Sequence, residues 1–159
     1  MKKEGAIKVF ATADIHDWHT WLWDSNERNV VQPEIDLVLI AGDIQDRCTN
    51  TTHFKVNQYI TGLSEKELNN PKLDYVIERI YDNLALLELE YLLNEVLTKR
   101  FPNAKMVIIP GNHDCWSADK VRIENPNILL VDTLKLVSVK IRGEDINILC
   151  CPYITYDAM

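Results

Sequence analysis

The chain has 159 residues, 47% of them hydrophobic and 26% charged, which fits one ordinary domain with a single core. No apolar run approaches the roughly 18 residues that a bilayer span requires, and the opening Met1-Lys2-Lys3-Glu4-Gly5 leads into a strand-like run without a cleavage-type segment, so a cytoplasmic protein is expected. A net charge of -7 opposes nonspecific binding to nucleic acid, while bound cations would still let a phosphate group approach.

The four cysteines, Cys48, Cys115, Cys150 and Cys151, have no C-x-x-C spacing, so neither a zinc knuckle nor a disulfide framework is expected. Residues 7–13 read as a short apolar strand that ends at Asp14-Ile15-His16. A second strand, residues 36–41, runs into Gly42-Asp43, and a third, residues 106–110, runs into Gly111-Asn112-His113-Asp114. Each strand thus delivers polar groups at its carboxyl end.

Between the second and third strands a helical insertion is expected at about 48–101. Val76, Ile80, Leu84, Leu87, Tyr91 and Val96 define an expected apolar stripe, and Phe101-Pro102-Asn103 the stop. Ser64 and Glu67 have the spacing of a capping box that opens an earlier helix. After Asp114 the pattern turns to β: residues 128–131, 134–141, a turn at 142–145, then 146–151. The whole chain, residues 1–159, reads as a single α/β domain.

In open α/β sheets, ligands gather beyond the carboxyl ends of the strands, so the three polar clusters are expected to converge. Asp14, His16, Asp43 and Asn112 would supply carboxylate, imidazole and amide donors, a set suited to Mn, Fe or Zn. Asp14 and His16, two positions apart on an extended segment, would leave the chain on the same side.

Asp-x-His, Gly-Asp and Gly-Asn-His-Asp, in this order and each after a strand, resemble the signature of calcineurin-like metallophosphoesterases from about residue 7 to 114. The resemblance implies a layered β-sandwich flanked by helices and hydrolysis of a phosphate mono- or diester by a two-metal centre with a bridging hydroxide. It implies that Asp14 and His16 bind the first divalent ion, Asp43 bridges both and Asn112 binds the second. His113 would act on the phosphate transition state or the leaving oxygen, with Asp114 orienting its ring.

Gly42-Asp43-Ile44-Gln45-Asp46-Arg47 also looks like an element of the protein-phosphatase branch, which makes Arg47 a candidate phosphate clamp. Asp17 and Asp114 depart from that branch's glycine and glutamate, so no protein-phosphatase substrate is assigned.

The family's pattern continues with three further histidines, whereas residues 115–159 contain none and the remaining two, His19 and His53, precede the Gly-Asn-His element. A domain truncated at its C-terminus is therefore expected, completed by a C-terminal segment or a second chain. The alternative is a non-catalytic interaction module or inactive fragment on the same fold. The phosphorylated substrate has no class assigned by the sequence, and no membrane partner is expected.

Overall fold

The computed structural model describes residues 5–16, 31–44, 50–114 and 116–153. Its centre is a four-stranded parallel sheet with strands in chain order: β1 (Val9–Thr12), β2 (Leu37–Ala41), β3 (Lys105–Ile109) and β4 (Ile128–Leu130). β2 lies between β1 and β3, with Val9 opposite Leu37 and Leu37 opposite Lys105.

The two central strands are apolar on both faces, as a parallel sheet covered on both sides requires. Val38, Ile40, Met106 and Ile108 point to the helical layer, where they pack in a cluster with Leu89, Leu92, Leu93, Leu97 and Phe101. Leu37 and Val107 belong to the opposite cluster, with Leu39 and Ile109 packed against it. This period of two gives each strand a share in two cores.

The helical layer comes from the segment between β2 and β3. It contains α1 (Asn50–Thr61), α2 (Glu65–Leu68) and α3 (Leu73–Tyr91), which runs through a π-helical turn (Leu92–Leu97) into α4 (Thr98–Arg100). The capping box at Ser64 is present, with Glu67 accepting the Ser64 backbone N–H at 2.8 Å. The helix it opens is only four residues long, and Asn69 closes it by donating to the Glu65 carbonyl from both its backbone and its side chain.

The buried face of α3 differs from the expected stripe. Val76, Leu87 and Tyr91 are exposed, while Glu88, Leu89, Leu92, Leu93 and Leu97 are buried. The shift begins before the irregular turn that follows α3, since Val76, Leu87 and Tyr91 all precede it. From Leu92 onward the π-helical turn adds a residue per turn and rotates the later positions relative to a 3.6 period, and the Thr98 hydroxyl donates to the Leu93 carbonyl five residues back. In the first half of α3 every residue is exposed or only partly covered, so sheet packing does not select an apolar face there. The helical segment stops where expected, with fully buried Phe101 turning into the core against the Phe10 ring.

The expected β region after Asp114 divides between two sheets. Ile128–Leu130 joins the parallel sheet beside β3, and the other two strands form a separate antiparallel hairpin, β5 (Lys135–Ile141) and β6 (Glu144–Cys150). The hairpin turn is tighter than expected: Arg142 and Gly143, both at positive φ (53° and 91°), make the two-residue connection, and Glu144 and Asp145 already pair with β5.

Val137, Val139, Ile141 and Cys150 of the hairpin complete the second cluster against the sheet. The molecule is thus a helical layer, a parallel sheet and a β-hairpin layer, the mixed α/β architecture expected from the sequence. Arg142 fastens the hairpin to the sheet. Its Nε and Nη2 donate to the two carboxylate oxygens of Asp36 at 2.8 and 2.7 Å, and Nη1 donates to the Gly5 carbonyl at 2.9 Å.

Candidate metal centre

Parallel strands in register end together, so the residues just past β1, β2 and β3 share one edge of the sheet. The chain after β1 turns at Asp14, whose N–H donates to the Gly42 carbonyl at 3.1 Å, and the His16 N–H donates to the Asp43 carbonyl at 2.7 Å. These two bonds hold the β1 and β2 loops side by side.

The β2 and β3 loops are held closer still. Gly42, at φ 83°, lies so near Gly111 that a Cβ on it would stand 2.7 Å from the Gly111 Cα. A Cβ on Gly111 would in turn collide with the Asp43 carboxylate. Both glycines are required by this approach, and Gly42 also by its left-handed backbone.

Asp14, His16 and Asp43 take positive φ as well, at 57°, 55° and 50°, a region that non-glycine residues seldom occupy. Among the described residues, the only other non-glycine case is Arg142 in the hairpin turn. Strained backbone of this kind persists where surrounding bonds over-determine it, and it concentrates at functional sites.

The result is a cluster in which one donor atom from each of Asp14, His16 and Asp43 lies within 4.8 Å of the others. His16 Nε2 is 2.8 Å from Asp14 Oδ1. Two carboxylates and an imidazole are a donor set that fits a divalent ion of the Mn, Fe or Zn type. Asp14 is largely exposed while His16 and Asp43 are partly covered, so the cluster opens to solvent on the Asp14 side.

The loop after β3 closes over the same edge. The His113 N–H donates to Asp43 Oδ1 at 2.9 Å, and the His113 ring meets the His16 ring edge-on with centroids 4.8 Å apart. Asn112 is exposed in the same loop, one position before His113. The carboxylate of Asp114 accepts the Gly111 N–H at 2.8 Å and the Ile44 N–H at 3.4 Å. The bond to Gly111 is that of a loop carboxylate capping its own turn, the plainer reading of Asp114 that the sequence also allows beside the motif's orienting role for the His113 ring.

Arg47, the candidate phosphate clamp, lies outside the described residues, as do Asp17, His19, Asp46, Cys48 and Cys115. His53 belongs to α1 and bonds the Tyr81 hydroxyl through Nδ1 at 2.8 Å, within the helical layer.

The family model for calcineurin-like phosphoesterases matches residues 7–154. The chain belongs to that family. No curated protein and no solved structure matches it. Membership in the calcineurin-like phosphoesterases gives phosphoester hydrolysis as the general reaction and divalent metal as the usual cofactor, and the Asp14-His16-Asp43 cluster is compatible with metal binding. Among the described residues, no helix of this family member is long and apolar enough to cross a membrane.

Proposed function

We propose that this chain hydrolyses a phosphate mono- or diester at a centre of two divalent ions, with Asp14 and His16 binding the first, Asp43 bridging and Asn112 binding the second. The observation that carries this reading is the meeting of Asp14, His16 and Asp43 donor atoms within 4.8 Å at the carboxyl end of the sheet. When bound, such ions supply an acidified water and positive charge for phosphate oxygens.

The protein groups have separate tasks. His113 stands over the same edge, in ring contact with His16, where an imidazole serves a phosphate oxygen or a leaving oxygen by donating a proton. Arg47 is assigned to the phosphate oxygens by its motif alone.

Asp14, His16, Asp43 and Asn112 fall short of the donors that two ions take, about four to six each with water included. We assign the balance to water and to a complementing C-terminal segment or second chain. A cytoplasmic location and a single domain with a helical insertion at about 48–101 complete the proposal.

The test is hydrolysis of a generic aryl phosphodiester and monoester with Mn²⁺ added, alongside metal content, for this chain and for Asp43→Asn. Metal-dependent turnover abolished by Asp43→Asn supports the reading. Neither metal uptake nor turnover, with or without a longer reading frame, would favour a non-catalytic interaction module on the same fold.

A further inference from the structure

We propose that Asp114 is a positioning residue that braces the two ligand-bearing loops against each other through their backbone amides. The inference rests on the metal-centre reading above and adds how that centre is kept in shape. Its ground is a reciprocal pattern of hydrogen bonds. Asp43, in the loop after β2, accepts the N–H of His113 in the loop after β3 at 2.9 Å. Asp114, the next residue after His113, accepts the N–H of Ile44, the next residue after Asp43, at 3.4 Å.

Each loop therefore lends a carboxylate to an amide of the other. Asp114 also accepts the Gly111 N–H at 2.8 Å, which closes the 111–114 loop on itself and fixes where its carboxylate stands.

The brace acts where the backbone is least free to relax. Gly42 and Asp43 are both at positive φ, and the Gly42–Gly111 approach leaves no room for a Cβ on either residue. Ile44 is fully buried in the helical-face core, so its N–H is anchored on one side by packing and on the other by Asp114. The Gly111 bond, at 2.8 Å, has the length of a strong charge-assisted bond, while the Ile44 bond, at 3.4 Å, is long and contributes mainly through the carboxylate's charge, which a partly covered setting screens little. Losing the Asp114 carboxylate would leave the Asp43 turn held only from its other side, by the His16 and His113 amides, and let a ligand that Asp114 itself does not need to touch shift its position. Groups that hydrogen-bond a ligand directly tune metal affinity by about 10–100-fold, and Asp114, which acts through backbone amides, is expected at the low end of that range.

The experiment compares wild type, Asp114→Ala and Asp114→Asn in two readouts. In metal-free protein, amide NMR follows the Gly111 and Ile44 N–H signals and their exchange with solvent. With metal, Mn²⁺ affinity is titrated by electron paramagnetic resonance. The expected result is that Asp114→Ala shifts both amide signals, speeds their exchange and lowers Mn²⁺ affinity by about tenfold. Asp114→Asn, which keeps one acceptor oxygen, is expected to recover most of both.

Unmoved amide signals in Asp114→Ala would overturn the brace, and so would moved amides with unchanged affinity. If wild type itself takes up no Mn²⁺, the metal-centre reading fails on its own, and Asp114 is then no positioning residue for it even where the amide signals move. Should Asp114→Ala not fold, Asp114→Glu, which displaces the oxygens by one methylene, carries the same comparison.

Discussion

Gly42 and Gly111 approach so closely that a Cβ on the first would stand 2.7 Å from the Cα of the second. Gly42→Ala is therefore expected to be among the most damaging single changes in the protein. The left-handed backbone at φ 83° costs alanine about 1–2 kcal/mol, and the overlap with Gly111 adds about 1–3 kcal/mol of overpacking. Urea unfolding of the variant checks this. A loss below about 0.5 kcal/mol would mean that the two loops part without difficulty.

Asp14 offers the converse case, a site change that the fold tolerates. It is exposed and sits at φ 57°, where asparagine is among the residues best accommodated. Asp14→Asn is expected to keep stability within about 0.5 kcal/mol while weakening metal uptake by at least about tenfold, since a charged donor is replaced by a neutral amide. Thermal unfolding with and without chelator, beside a metal titration, reads both effects. Equal metal uptake by variant and wild type would remove Asp14 from the ligand set.

The three polar clusters were legible in the sequence because each follows a short apolar run, and parallel strands in register bring such ends together. Asp14, His16 and Asp43 meet for that reason. The buried face of α3 was not legible: the first half of the helix has no buried residue, so Val76 meets solvent, and beyond Tyr91 a π-helical turn at Leu92–Leu97 breaks the 3.6 period with no residue that announces it. Nor was the Asp36–Arg142 contact, since it joins positions 106 residues apart and depends on the hairpin packing over β2. For Asp114 the motif implies a ring partner and the residue type allows a turn cap, which the Gly111 amide matches, but the Ile44 amide, 70 residues away, is shown only by the folded loops.

Asp36 gives stability a pH dependence of definite sign. Its carboxyl is held below the ordinary aspartate range, first by the Lys8 backbone N–H and then by the Arg142 guanidinium, with burial opposing. A folded-state value below the unfolded one contributes stability that is fully present above the unfolded value, about 3.9, and lost as pH falls through the lowered one. The stability gap between wild type and Asp36→Asn is accordingly expected to be constant from pH 7 to about 5, and to shrink below about 4. Because the Arg142 side chain is 40% exposed, the ion pair itself is worth no more than about 1 kcal/mol. Urea midpoints measured across this range decide it, and a gap that widens on acidification would contradict the assignment.

The hairpin separates its two faces by energy. Val137 and Val139 point into the core beneath it, while Leu136 and Leu149, paired across the two strands, are 63% and 64% exposed on the outer face. Val139→Ala removes two buried methyl groups and is expected to cost about 1.5 kcal/mol, at about 0.8 kcal/mol for each carbon lost from a packed site. Leu136→Ser removes more apolar volume, yet it starts from a side chain already in water. Its expected effect is within about 0.5 kcal/mol. Denaturant unfolding of the two variants side by side tests the register of β5. A one-residue slip would exchange the faces and reverse the order of the two losses.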